Sequence, residues 1–283
     1  MNLDSVARDE WYPVAIAQHL RCGQSEPVTL MAQTLTVART GDGTLTAHDA
    51  NGSAMPVCEA HGHVWSSIGQ PAHPVFAIPE GLEPGRTLVD CGGVRVKASP
   101  LRVVENFLDI AHFPFVHTDI LGAEPHTEVS PYEVEIRDTV DEVWATKVSF
   151  YQPQAAKSAS DGIVTEYEYR VPAPCVSILY KTCPPRPGEM DVIALFVRPI
   201  TETLSEAYAW MALYDDDNTL EDLIQFQQTI FLQDRSILEN QVPSKLPLDP
   251  RMESPTRADK TSIAYRRWLK RKGYRYGAET RGV

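Results

Sequence analysis

What the sequence lacks narrows its reading first. No stretch approaches the roughly 20 consecutive apolar residues that a membrane-crossing helix needs, and the opening MNLDSVARDEWYPVA has no basic segment followed by an apolar run. Neither a membrane span nor a secretory leader is therefore expected. Cysteine is sparse and odd in number: Cys22, Cys58, Cys91, Cys175 and Cys183 lie far apart in 283 residues. That pattern suits free thiols in a reducing compartment better than a disulfide framework, so a cytoplasmic location is the expectation. Positive charge is also short, 26 basic residues against 38 acidic ones for a formal charge of -12, which repels polyanions and argues against nucleic acid as a partner. Internal repeats and low-complexity tracts are missing as well.

What is present is an ordinary globular composition, 43% hydrophobic and 23% charged, enough for a sizeable core. Residues 11 to 98 read as short strands and turns (WYPVAIA, TLMAQTLTVART with a GDG turn, HVWSSIG, RTLVDCGGVRVKA), with a Pro- and Gly-rich connection at 71 to 85. A boundary near residue 98 separates this β-rich unit, 1–98, from a second unit, 99–283. There Leu101, Val104, Leu108 and Ala111 recur at helical spacing and predict a helix running into Pro114. Six alternating segments follow, from EVEIRDTV to AYAWMALY, and predict a long antiparallel meander. DDDNTLEDLIQFQQTIFLQDRSILENQ then predicts a helix of six or seven turns opened by capping acids, and KTSIAYRRWLKRKG a shorter basic helix. The expected fold class is α+β.

One constellation points to metal chemistry. Ferrous iron that must bind dioxygen beside a substrate wants two imidazoles and a carboxylate on one side, leaving the opposite positions open. His112 and His117 stand five residues apart in HFPFVH; on a straight helix they would diverge by about 140°, but Pro114 breaks or kinks the helix and lets the second swing back. Asp109, three residues before His112, shares its helical face and is placed to hydrogen-bond a ligand imidazole. Asp234 occupies a gap in the apolar stripe Leu223, Phe226, Ile230, Ile237, where an unpaired carboxylate is costly unless it is protonated, hydrogen-bonded or bound to a cation. Taken alone, two histidines at this spacing are more often core or surface residues than ligands, and a buried Asp is usually an ordinary hydrogen-bonding partner. Gln227, Ile230 and Phe231, one or two turns back on the Asp234 face, are candidates for a pocket wall. The basic run Arg266, Arg267, Lys270, Arg271, Lys272 around Trp268 suits either docking to an acidic electron donor or a solvated helix face.

Glu105-Asn-Phe-Leu-Asp-Ile-Ala-His-Phe-Pro-Phe-Val-His117, followed far downstream by Gln233-Asp234, resembles the catalytic domain of Rieske non-haem iron oxygenase α subunits. The resemblance covers roughly residues 100 to 270. It implies a helix-grip catalytic domain of antiparallel sheet and flanking helices, His112, His117 and Asp234 as ligands of a mononuclear Fe(II), Asp109 as the acid that carries electrons across a subunit boundary, and Asn106 near the iron. HGHVWSSIG is similar to the strand after the cluster in full-length members, but the two cluster motifs are incomplete. A Rieske centre needs Cys-x-His and, later, Cys-x-x-His; only Cys58-Glu-Ala-His61 fits, with Thr46-Ala-His48 where a first pair would stand. The N-terminal unit is thus expected to be a reduced Rieske-like domain without an intrinsic [2Fe-2S] cluster, fed by a Rieske-bearing reductase or subunit and reached by NAD(P)H only through that partner.

Among cluster-lacking members, HFPxVHTDILGAEPHTEV, IFxQD and SIAYRRWL resemble the oxygenase components that demethylate methylxanthines. That implies O2-dependent oxidation of an N-methyl group, at N7 of 7-methylxanthine, to an N-hydroxymethyl intermediate that collapses to formaldehyde and xanthine. A purine substrate would want an apolar slot with a few amide partners. The assembly implied is a trimer-like ring or a mixed hexamer with a cluster-bearing subunit. Two other readings stand beside it: a non-catalytic assembly or ligand-binding subunit, and a zinc hydrolase using the same three side chains.

Overall fold

The computed structural model describes residues 4–154, 162–215 and 217–279. After a single helical turn, α1 (Ser5–Arg8), the chain makes β1 (Tyr12–Ile16), β2 (Gln24–Leu30), β3 (Gln33–Arg39), β4 (Leu45–Asp49), β5 (Val57–Ala60) and β6 (His63–Ser66). They form two three-stranded antiparallel sheets, β1-β6-β5 and β2-β3-β4. The expected TLMAQTLTVART strand is split: Met31 and Ala32 both have positive φ, the two-residue turn that matches strand twist in a tight hairpin. His61 and Gly62 form a second such turn between β5 and β6.

β7 (Thr87–Val96), β8 (Glu133–Arg137), β9 (Glu142–Gln152), β10 (Ile163–Ala173), β11 (Val176–Thr182), β12 (Met190–Thr201) and β13 (Leu204–Leu213) make a seven-stranded antiparallel sheet in the order β7-β13-β12-β11-β10-β9-β8. β8 to β13 are the predicted meander. β7 precedes the expected boundary at residue 98 yet pairs with β13, so the sheet reaches back across that boundary. Its central strands are buried on both faces because each is covered. Trp65, Ile16 and Ile78 of the N-terminal unit pack on Ile178, Ala194, Phe196 and Trp210. On the other side, Leu101, Val104, Phe231 and Trp268 join Tyr167, Tyr169 and Leu195.

The helices on this second face are α2 (Pro100–Leu108), α3 (Phe113–Val116), α4 (Leu220–Leu238) and α5 (Lys260–Lys272). α2 ends five residues earlier than the periodicity predicts. Asp109 adopts an extended backbone as its C-cap, and its carboxylate accepts the Ala111 N–H at 2.8 Å, which competes with helix continuation. Pro114 does not break α2; it sits in the first turn of α3, where its missing N–H costs nothing. α4 is 19 residues long, shorter than expected, and its cap is not the acidic run: the Thr219 hydroxyl and the Asp222 carboxylate form a reciprocal capping box. Asp216, in that run, lies outside the described residues.

The basic helix is largely spent inside the molecule. Arg266 is buried, with its Nε 2.6 Å from Glu105, and its guanidinium also meets Glu253; Arg102 reaches the same two carboxylates at 3.0 and 2.6 Å. Trp268 donates to Asp141, which also pairs with Arg271 and Lys272. Only Arg267 and Lys270, both exposed, and part of Arg271 remain for a solvated face. Removing Arg266 leaves the buried Glu105 with Arg102 alone of the pair, so Arg266→Ala is expected to cost about 3 kcal/mol while Arg267→Ala stays within about 0.5 kcal/mol; urea unfolding of the two variants side by side checks this.

Candidate metal centre

The short α3 sets the histidine geometry. His112 is its N-cap and His117 its C-cap, so one turn of chain separates them and brings their ring centroids to 5.0 Å. The following ILGAEP loop folds against this turn at Gly122, where a Cβ would lie 2.6 Å from the Pro114 nitrogen. From the opposite side α4 delivers Asp234. His112 Nε2 and His117 Nε2 stand 3.1 Å apart, and Asp234 Oδ1 lies 3.2 and 3.0 Å from them. Among the described residues this is the one group of three His, Cys, Asp or Glu side chains whose ligand atoms converge.

The outer ring nitrogens are also committed. His112 Nδ1 faces Asp109 Oδ2 at 3.2 Å and His117 Nδ1 faces Gln233 Oε1 at 2.8 Å. Both oxygens only accept, so both Nδ1 atoms donate, and each neutral ring then turns an Nε2 lone pair toward Asp234. Three electron-rich atoms this close need a positive charge among them. In the metal-free protein a proton supplies it: burial pushes His112 down, but its hydrogen bonds to Asp109 and Asp234 outweigh burial and raise it to about 9. Burial likewise pushes Asp234 up, and its contacts with the His112 and His117 rings more than reverse that, leaving it below the usual carboxylate range. A divalent ion fits in the proton's place. Two imidazoles and one carboxylate are the donor set that would hold a ferrous ion and leave its other positions open.

The Asp109–His112 contact runs through the turn after α2, not along a helical face. Asn106, in the last turn of α2, places its Nδ2 3.5 Å from Asp234 Oδ1. Gln227, Ile230 and Phe231 line one cavity with His112, His117 and Asp234, although Phe231 also belongs to the core. The same cavity is walled by residues that the sequence reading passed over: Phe113, which packs edge-on against Phe150, together with Gln152, Tyr167, Tyr169, Lys181 and Phe226. Gln233, part of the Gln-Asp pair but given no role, proves to hold His117. Cys58 and His61 do not join the cluster. His61 Nε2 lies 2.7 Å from the Phe76 carbonyl and its ring stacks on Phe76, and burial raises the Cys58 thiol.

Residues 96–274 match the vanillate O-demethylase oxygenase C-terminal domain, and the chain belongs to this family of Rieske-type oxygenases. Over 280 residues, 99% of both chains, it is 44% identical to "Probable methylxanthine N7-demethylase NdmC" of Pseudomonas sp. (strain TJI-51). The fold is shared with Pseudomonas putida CBB5 NdmA with caffeine (TM-score 0.77, 18% identity, 94% of this chain and 90% of that one). It is shared also with dicamba monooxygenase bound to 3,6-dichlorosalicylic acid (TM-score 0.74, 15% identity, 95% and 98%). No helix of the described residues is long and apolar enough to cross a membrane.

Asp234→Ala and His117→Ala are each expected to abolish stoichiometric metal binding, whereas Gln233→Ala keeps the ligands and weakens affinity by about 10- to 100-fold. A metal bound there would have to displace the His112 proton, so affinity is expected to climb with pH until about 9; chelator competition at pH 6.5, 7.5 and 8.5 reads both effects, and a flat pH profile contradicts the displaced proton.

Proposed function

We propose that this chain is the oxygenase component of an N-demethylase: with Fe(II) held by His112, His117 and Asp234 it uses O2 to remove the N7 methyl group of 7-methylxanthine, giving xanthine and formaldehyde. The observation that carries the reading is the convergence of two Nε2 atoms and one carboxylate oxygen within 3.2 Å at the end of a buried cavity, in a chain 44% identical to a methylxanthine N7-demethylase. Iron in this site supplies reductive activation of O2 beside the bound base. The protein's own groups position and time that chemistry. Asp109 and Gln233 fix the two imidazoles in the tautomer that offers Nε2 inward. Asn106 restrains the Asp234 carboxylate without being a ligand. Phe113, Phe226, Ile230 and Phe231 form apolar walls suited to a flat base and exclude water, while Gln152 and Gln227 offer amides to its polar edge.

Electrons come from a separate Rieske-bearing reductase or subunit, and from NAD(P)H only through it. Asp109 is the port: its carboxylate bonds His112 on one side and is 28% exposed on the other, the arrangement a donor cluster across a subunit boundary requires. The corresponding assembly is a trimer-like ring or a mixed hexamer in which another subunit brings the cluster that Cys58 and His61 do not build here.

Anaerobically reconstituted protein is expected to hold about one iron per chain and to release formaldehyde from 7-methylxanthine only when a Rieske-bearing reductase and NADH are present. Asp109→Asn should retain the iron yet lose at least about tenfold in turnover. Protein that takes up zinc but no iron, or iron-loaded protein inert to every N-methylated purine with the donor present, would sink the reading in favour of a hydrolase or a ligand-binding subunit.

A further inference from the structure

One face of α4 paves two cavities. Phe226, Gln227, Ile230, Phe231 and Asp234 line the metal-side cavity, and Leu223, Phe226 and Gln227 line a neighbouring pocket. Steps of three and four keep these positions on one helical face, so the two spaces follow each other along the helix over about 16 Å of rise from Leu223 to Asp234. The opposite wall is continuous too: Ile193 of β12 borders both spaces, with Leu195 on the metal side and Met211 and Leu213 of β13 on the other. The outer pocket reaches the surface at Pro185, exposed in the turn between β11 and β12. Its rim is braced, because the Tyr214 ring carries the Arg86 and Arg186 guanidinium groups 4.2 and 4.1 Å from its centroid. A second neighbour of the metal-side cavity, the polar pocket outside Asp109, offers a poorer passage. Among the described residues it shares only Asn106 with that cavity, and it is walled by the Arg102, Glu105, Glu253 and Arg266 ion pairs, against which a flat apolar face would be ill matched. At the neck between the two α4 spaces the sides differ. Ile193 packs against both hydrophobic clusters that flank it, one holding Met211, Leu213 and Leu223 and the other Leu195 and Phe231; among the described residues Phe226 packs into neither and is half-buried. Its ring is therefore the part of the neck that can change rotamer without opening a cluster.

We propose that a flat heterocyclic base reaches the metal-side cavity along α4, through the pocket between the β11–β12 turn and the first turns of α4, and that Phe226 is the gate residue of this passage. This rests on the N-demethylase reading above and adds how the substrate enters and the product leaves. A gate sets one barrier that arrival and departure share, so it changes association and dissociation rates together and leaves affinity nearly constant, whereas a contact made only in the bound complex acts on dissociation.

The test reads association and dissociation rates of 7-methylxanthine on immobilised, anaerobic iron-loaded protein by surface plasmon resonance. Phe226→Ala should raise both rates about tenfold and keep Kd within about threefold, and Phe226→Trp should lower both. Pro185→Cys in a Cys22→Ser background, capped at the new thiol with a polyethylene glycol maleimide, should slow both rates at least about tenfold with iron content unchanged. Wild type carrying the same cap on its exposed Cys22, which borders a different pocket, should keep its rates. Phe226→Ala protein that associates no faster than the wild type overturns the gate and leaves Phe226 as an ordinary wall. Capped Pro185→Cys protein with unchanged association overturns the passage, and because Pro185 is exposed in a turn this arm stands even where the alanine variant does not fold. Wild-type protein that binds no 7-methylxanthine overturns the parent reading and this one together; unchanged rates in the variants beside a wild type that binds overturn this one alone.

Discussion

Two imidazole nitrogens and a carboxylate oxygen meet within 3.2 Å of one another, and three such atoms repel unless a positive charge lies between them. Much of the surrounding structure serves that confrontation. α3 is a single turn with a histidine at each end, Asp109 and Gln233 turn the rings inward, and α4 is laid across the sheet so that Asp234 arrives from the opposite side. In the metal-free protein a proton on His112, held by Asp109 and Asp234, supplies that charge. A proton and a metal ion would compete for the same place, which the hydrogen bonds from Asp109 and Gln233 define from outside.

The sheet gives this site a floor. Its far face is occupied by the N-terminal unit through Trp65 and Phe196, and its near face carries the helices and the cavity. Between sheet and α4 the walls are mostly aromatic, interrupted by a few amides and Lys181. The Arg102, Glu105, Glu253, Arg266 network then pins α2 to α5 on the flank of the site, so Asn106 and Asp109, which end that helix, inherit a fixed position.

Periodicity carried a good part of this. The six meander strands alternate strongly enough to be read, and the three converging side chains are those singled out by residue type and by a carboxylate interrupting an apolar stripe, although the turn that joins the histidines is set by Asp109 and α3 rather than by a break at Pro114. The remainder fails for identifiable reasons. The last expected turns of α2 are lost because Asp109 bonds the backbone ahead of it, a local competition that hydrophobic spacing does not register. β7 reads as part of the first unit because a strand does not announce its partner, here β13. Lys181 and Gln152 escaped notice because polar residues in a strand read as solvent-facing, whereas these strands are covered on both sides; the available hint was a lysine in CVSILYKTC whose cross-hairpin neighbour is Asp191. The basic helix looked like a docking face because the acids that neutralise it, Glu105, Asp141 and Glu253, are remote in sequence.

His117 and Gln233, which touch, are separated by 116 residues, and the whole meander, β8 to β13, lies between them. A slip of one residue in any of its pairings would turn the inward side chains outward and carry the base of α4 with it. Such a site cannot assemble on a partly formed sheet, and the entropy of closing so long a segment must be met by strand pairing rather than by the ion. Convergence of the three side chains is therefore a report on the whole chain's topology: a misfolded or truncated form would lose first the meeting of His112, His117 and Asp234.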